Sequence, residues 1–305
     1  LRSPDLFRLA LTLVLAVSCS ARGEGLTLRD DAGRSVEIRV PVGRIVTLAP
    51  HLAELVFAAG AGSKLVGVSA HSDYPPAVEK LPVVAGAGRA DVERILALRP
   101  DVVLAWASGG QSADAERLAA LGIPVLLLEP RRLEDIARQL ELIGRLAGTG
   151  YEATRAAHGV RSRLRELATR FSGRRPVGVF YAIWRNPLMT VNGRHIISEA
   201  ITLCGGRNVF ADLPVLVPTV SMEGLLAIDP EAIVASGEVS RRAQLLVEWQ
   251  EERRLRAVRA GNVYFSDADL MHRATPRMLE GIRALCEDLE RARSKSDAAS
   301  LKRAP

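Results

Sequence analysis

Short, unbroken apolar runs alternate along this chain with stretches of helical spacing, and the alternation halts only once. Arg44-Ile45-Val46-Thr47-Leu48-Ala49-Pro50 reads as a strand stopped by its proline, and Leu52 to Ala59 as a helix ended by Gly60. Strands follow at Lys64–Ser69, Asp101–Trp106 and Pro124–Leu128, with helices at Val92–Leu98, Ala113–Leu121 and Leu133–Leu146. The halt runs from about Tyr151 to Phe171, rich in Ala, Arg, Leu and Glu and free of proline. Gly148-Thr149-Gly150 precedes it and Ser172-Gly173 ends it. The alternation then resumes with strands at Val177–Tyr181, Ala232–Ala235 and Asn262–Phe265 and helices at Ile196–Cys204, Leu245–Glu251 and Arg277–Arg293. A strand that is apolar on both faces needs a covering layer on each side, so the pattern predicts parallel sheets sandwiched by helices. The expected fold class is α/β: two Rossmann-like lobes with mainly parallel sheets, joined by a single long α-helix. The lobes fall at 26–148 and 174–293, the linking helix at 149–173, and a polar tail at 294–305 is expected to fray.

Length agrees with two units, since 305 residues make about two domains of roughly 150 each. A chain with 48% hydrophobic and 25% charged residues is not a disordered, collagen-like or small disulfide-scaffold protein. The net charge of +6 permits contact with anionic surfaces but does not indicate nucleic acid.

Residues 1–21 read as a secretory signal: Arg2 and Arg8, an apolar stretch from Leu9 to Val17, then Ser18, Cys19, Ser20 and Ala21. The stretch is too short to span a bilayer, which takes about 20 residues. Leu15-Ala16-Val17-Ser18-Cys19 resembles a bacterial lipoprotein box, which would lipidate Cys19; cleavage after Ala21 would instead release a soluble protein. Export implies an oxidising compartment. There Cys204 and Cys286 read as one disulfide, with two separate buried thiols as the alternative.

An internal echo joins the two halves. Asp91-Val92-Glu93, continuing to Pro100 and Ala105, parallels Ser221-Met222-Glu223, continuing to Pro230 and Ala235, at a constant offset. Each is a Glu-initiated short helix, a proline and a strand. Either two lobes are related, or two common helix–Pro–strand units resemble each other by chance.

Catalytic signatures are missing. Gly60-Ala61-Gly62 follows a helix and lacks the third glycine of a dinucleotide fingerprint. There is no phosphate loop and no Gly-x-Ser-x-Gly elbow. Histidines 51, 71, 158, 195 and 272 form no ligand pair at metal-binding spacing, so no metal site, no catalytic residue and no cofactor are expected.

What stands out instead is a set of polar-aromatic loops at strand C-termini, where open α/β sheets bind ligands. They are Ala70 to Pro76, Trp106 to Gly110, Trp184 to Met189, and Asp267 to His272, two in each lobe. Aromatics are only 4% of the chain, yet two of its three tryptophans fall in these loops. Flat rings and a few polar groups around a cleft suit a large, flat, mostly apolar ligand.

At these residues the sequence resembles the periplasmic cobalamin-binding proteins of ABC importers, a group whose lobes are joined by one long helix. The likeness covers roughly Arg44 to Leu289. It is carried by Ala49-Pro50-His51-Leu52-Ala53-Glu54-Leu55, Ser72-Asp73-Tyr74-Pro75-Pro76, Glu93 to Asp101, Trp184 to Val191, Cys204 to Phe210, and Thr275-Pro276-Arg277. The resemblance implies that Tyr74 and Trp106 line a corrin pocket from the first lobe, with His51 beside the nucleotide loop, and that Ile183, Trp184 and Asp269 contribute from the second. It implies that Glu93 and Glu223 pair with arginines of a transmembrane permease dimer, and that Cys204 and Cys286 form a disulfide. It also implies a monomer that captures a corrinoid in the periplasm. Two pocket tryptophans of the group's pattern are replaced, by Ala87 and Val217. A haem or ferric-siderophore receptor of the same fold is the alternative, although the axial tyrosine expected near Gly86 in a haem binder is missing. An exported two-lobed hydrolase is the rival of a different class. Perturbed carboxylates or histidines in the cleft would favour the hydrolase; an aromatic-lined cleft would not.

Overall fold

A computed structural model describes residues 24–86, 89–110 and 112–301. Residues 1–23, on which the signal and lipoprotein readings fall, and Ala87 lie outside the described residues. The chain opens with an antiparallel hairpin of β1 (Glu24–Arg29) and β2 (Ser35–Val40), which the apolar rhythm does not reveal because its strands are half-exposed and carry no continuous apolar run. At its turn, buried Asp30 accepts hydrogen bonds from the backbone N–H groups of Ala32 and Arg34 and, farther off, Leu127.

The first lobe is a five-stranded, all-parallel sheet: β3 (Ile45–Thr47), β4 (Leu65–Ser69), β5 (Val83–Ala85), β6 (Val102–Trp106) and β7 (Val125–Leu128), in the order β5-β4-β3-β6-β7. Helices α1 (Pro50–Ala58), α2 (Val92–Ala97), α3 (Ser112–Ala120) and α4 (Glu134–Ala147) connect and cover it. Pro50 is not the stop of a strand but the first residue of α1, where its missing N–H is one that the helix leaves unpaired anyway. That places His51 in the first turn of α1.

The long helix, α5 (Gly150–Phe171), has 22 residues, about 33 Å at 1.5 Å per residue. It runs against α4 so closely that a Cβ on Gly144 would sit 2.2 Å from the Cβ of Ala153. The second lobe holds β8 (Val177–Ala182), β9 (Gly206–Asn208), β10 (Ala232–Gly237) and β11 (Val263–Asp267), all parallel, in the order β11-β10-β8-β9. Its helices are α6 (Ile196–Leu203), α7 (Met222–Ile228), α8 (Arg242–Gln250), α9 (Arg256–Arg259), α10 (Ala268–Met271) and α11 (Met278–Leu301). The backbone of α11 stays helical to Leu301, past the expected fraying at Ser294, because the Ser, Lys, Asp and Ala run contains neither Gly nor Pro to end it. A disulfide between Cys204 and Cys286 ties the end of α6 to α11. One buried apolar cluster extends from Ile38 and Leu52 through α4 and α5 to Val179 and Leu289, so the lobes share a core at the linking helix.

The echo is a structural repeat. Asp91 and Ser221 cap α2 and α7 by accepting the N–H of Arg94 and of Gly224, each at 3.0 Å. Both helices are followed, directly or one residue later, by a residue in the left-handed region, Arg99 at φ 44° and Asp229 at φ 45°. Beyond the proline, Asp101 N–H donates to Arg44 O at 2.9 Å and Glu231 N–H to Gly178 O at 2.8 Å. The same two carboxylates accept the N–H groups of Arg44 and Gly178 in return. Matching turns and matching straps onto a neighbouring strand answer to two related lobes.

Candidate functional site

Strand C-termini from both lobes open onto a cleft of about 410 Å³. Trp106, the last residue of β6, lines it, and its indole N–H donates to Glu129 Oε1 at 3.2 Å. The other oxygen of Glu129 accepts the Ser108 N–H at 2.8 Å, so one buried carboxylate holds both the ring and the loop after it. Glu129 N–H in turn donates to Asp31, whose carboxylate also binds Arg138. His51 stands edge-on to Trp106, with ring centroids 5.4 Å apart and planes at 86°. The facing wall comes from the second lobe and is mostly apolar: Ile183 after β8, Ile196 and Ile197 of α6, and the loop carrying Val217. One of the two tryptophan replacements, Val217, is thus part of the cleft.

Three histidines share the cleft, and all are held neutral. Burial, aided by the positive charge of Arg273, pushes His51 down to about 4. Burial, with His272 nearby, does the same to His195, and burial lowers His272 to about 4 against the pull of Asp267. His195 caps α6, its Nδ1 accepting the Ile197 N–H at 3.2 Å. His272 Nε2 lies 2.9 Å from Ser236 Oγ and 3.5 Å from the Tyr181 hydroxyl. His51 Nε2 is buried without a partner. Perturbed histidines in a cleft are the feature that would favour a hydrolase. Ser236 with His272 is a short serine–histidine approach, but Ser236 is buried and its hydroxyl also reaches Ser266 O at 3.3 Å. The five-histidine scatter in sequence hid this convergence. Among the described residues no group of three or more His, Cys, Asp or Glu is placed to hold a metal ion.

Of the six residues expected to contact a ligand, His51, Trp106 and Ile183 line the cleft. The other three stand outside its wall. Tyr74 is 43% exposed, with the Arg277 guanidinium 3.9 Å above its ring. Trp184 is 54% exposed and donates its indole N–H to Asn186 O. Asp269 pairs with Arg273 at 2.8 Å. Tyr74 and Asp269 therefore flank a bridge between lobes that sequence reading missed. Buried Glu54 of α1 receives Arg273 at 3.0 Å, Thr275 Oγ1 at 3.1 Å and Arg277 at 3.3 Å, and Arg273 also binds Asp73. The Arg273 hydrogen bonds hold Asp73 below the usual carboxylate range, burial working against them. Glu54 and Arg277 already lie in the motifs that carry the family resemblance, but nothing local says that they meet. Glu129 was legible: it follows β7 directly, at the same kind of strand end as the four chosen loops. Glu93 and Glu223 are exposed in the first turns of α2 and α7.

Comparison with known proteins gives three results. The family model described as "Periplasmic binding protein" matches residues 45–270. The vitamin B12-binding protein of Vibrio cholerae serotype O1 (strain ATCC 39541 / Classical Ogawa 395 / O395) is 36% identical over 250 residues, 82% of this chain and 90% of the relative. Among solved structures, the periplasmic vitamin B12 binding protein BtuF of Vibrio cholerae superposes with a TM-score of 0.77 at 35% identity, covering 83% of this chain and 98% of that one. A periplasmic heme binding protein from Pseudomonas aeruginosa superposes with a TM-score of 0.68 at 27% identity, covering 80% and 91%.

Proposed function

The chain belongs to the periplasmic binding protein family, and from that premise we propose that it captures cobalamin or a related corrinoid in the periplasm and delivers it to an ABC importer. The observation that carries the reading is the wall of the cleft. Trp106, fixed by Glu129, faces Ile183 and the apolar loop at Val217, and a flat macrocycle between them would bury both of its faces. At about 410 Å³ the enclosed space is that of a modest ligand pocket, so a corrinoid would project from it toward Tyr74, Trp184 and Asp269 at the periphery. Binding is non-covalent and ends in release, without turnover. Glu93 and Glu223, the paired acidic knobs of the repeat, are the proposed contacts with the permease dimer, and the working unit is a monomer. Cys19 would anchor the protein if the lipoprotein box is used; cleavage after Ala21 would leave it free.

A haem-type ligand is the second reading. Arg131 and Arg194 favour it, since they line the cleft from opposite lobes and a guanidinium is well suited to meet a carboxylate. Titration calorimetry against cobalamin, cobinamide and haem separates the two. Tight binding of a corrinoid with weak or no binding of haem is expected, and the reverse order would replace the first reading with the second.

A further inference from the structure

The carboxylate that fixes Trp106 is itself held from outside the sheet that carries it. Glu129 directly follows β7, the edge strand of the first lobe. Val103 N–H donates to Pro124 O and Ala107 N–H to Leu128 O, so in this parallel ladder the backbone groups of Val125, Leu127 and Glu129 point to the free edge. The turn of the β1–β2 hairpin lies along that edge. Arg34 donates to Val125 O at 3.0 Å, Leu127 N–H to Asp30 at 3.3 Å, Asp31 N–H to Leu127 O at 2.9 Å, and Glu129 N–H to Asp31 Oδ2 at 2.7 Å. Arg138 of α4 grips both oxygens of Asp31, each at 3.0 Å. A chain of contacts thus runs from Arg138 through Asp31 to the backbone of Glu129, and through its side chain to the Trp106 indole and the Ser108 N–H.

Closing a sheet edge is not reason enough for this strap. β11 is the edge strand at the matching place in the second lobe, beside β10 as β7 is beside β6, and among the described residues no hairpin runs along it. Its strand-end carboxylate, Asp267, caps α10 by accepting the Asp269 N–H at 2.9 Å. The strapped strand is the one whose carboxylate carries a cleft ring. The hairpin also precedes residues 45–270, the part of the chain that the family model matches. Resting on the corrinoid reading, we propose that Asp31 is a positioning residue for ligand binding: by fixing the backbone at Glu129, it sets the Trp106 ring against the macrocycle. With the strap cut, the Glu129 N–H loses its partner and the strand end can shift, taking with it the acceptor that the indole needs. Ring contacts are sensitive to such shifts, since a gap of 0.5–1 Å forfeits about a quarter to a half of the attraction.

The test uses the full mature chain as wild type, Asp31→Ala and Arg138→Gln, with cobalamin binding followed by calorimetry and the indole N–H signals of the three tryptophans by NMR. Asp31→Ala should weaken binding by about tenfold and shift the Trp106 signal. Trp184 and Trp249, both in the second lobe, should keep theirs, whereas a general loosening of the fold would move all three. Arg138→Gln, at a half-exposed position, releases Asp31 without touching the hairpin and should shift the Trp106 signal the same way, with binding about threefold weaker. In a Trp106→Ala background, Asp31→Ala should cost no further affinity, because the ring it positions is gone. Wild-type affinity in Asp31→Ala, or a tenfold loss that persists without Trp106, overturns the inference while leaving the corrinoid reading standing. Failure of the wild type to bind cobalamin or cobinamide removes the reading and the inference with it.

Discussion

Three uncharged imidazoles packed into one cleft make the protein sensitive to acid. His51, His195 and His272 are all held at about 4, against an ordinary value of 6.5. A depressed value in the folded state means that the unfolded chain takes up protons first as pH falls. Their contribution is therefore complete above about 6.5, is lost as pH drops toward 4, and levels off below that. Each costs about 1.4 kcal/mol per pH unit across the window. Asp288, raised to about 6 mainly by burial, works in the opposite direction, so the net slope is about that of two imidazoles. Calorimetric melting between pH 6.5 and 5 should show a falling melting temperature; a flat profile there would mean that the histidines carry charge in the folded protein. Trp106 belongs with them as the ring the ligand is expected to meet. Trp106→Ala should weaken corrinoid binding by about 2 kcal/mol, within the range seen for aromatic anchors. Unchanged calorimetric affinity would remove Trp106 from the pocket.

Secondary-structure elements were the most legible part of the chain. Unbroken apolar runs such as Val102–Trp106 can only be covered on both faces, and the parallel sheets follow from that. The hairpin before them was invisible for the same physical reason: strands with one side in water have no such run. In the cleft wall, Trp106 stands in a loop that its place at a strand end singles out, and Ile183, named by the family resemblance, lies at the same kind of strand end. What sequence could not supply was pairing across 200 or more residues, as between Glu54 and Thr275 or Asp73 and Arg273. The crossing of α4 and α5 depends on one missing side chain. Gly144→Val should cost about 3 kcal/mol or more, because its Cβ has no room against Ala153 and the two helices must separate. Urea unfolding measures this, and a loss below about 0.5 kcal/mol would show that the linking helix can move away freely.

Across the whole molecule, the repeat gives a pair of similar acidic tips, one on each lobe. Reversing both charges, Glu93→Lys with Glu223→Lys, should abolish corrinoid uptake in cells while calorimetric affinity in the isolated protein stays within about twofold. Collapse of affinity instead would place these residues in the fold or the pocket. The lobes are also joined at a second place besides the linking helix, through Glu54 and its partners Arg273, Thr275 and Arg277. Glu54→Gln removes the one buried carboxylate of the three around Arg273 and Arg277 and should destabilise by about 3 kcal/mol. A denaturation midpoint equal to that of the wild type would show that the bridge contributes nothing.

That bridge has a consequence for engineering. Two lobes linked by a single helix look like modules that could be exchanged between relatives to mix specificities. Here a graft of the second lobe would bring its own Arg273, Thr275 and Arg277 positions to a foreign α1, and a first lobe without an acid at position 54 would deprive Arg277 of its carboxylate and leave Arg273 to Asp269 of its own lobe. Residue 54 and the segment 273–277 therefore have to be moved as one unit in any such graft, although 219 positions of chain separate Glu54 from Arg273. Recombination points that respect the helix alone would break it.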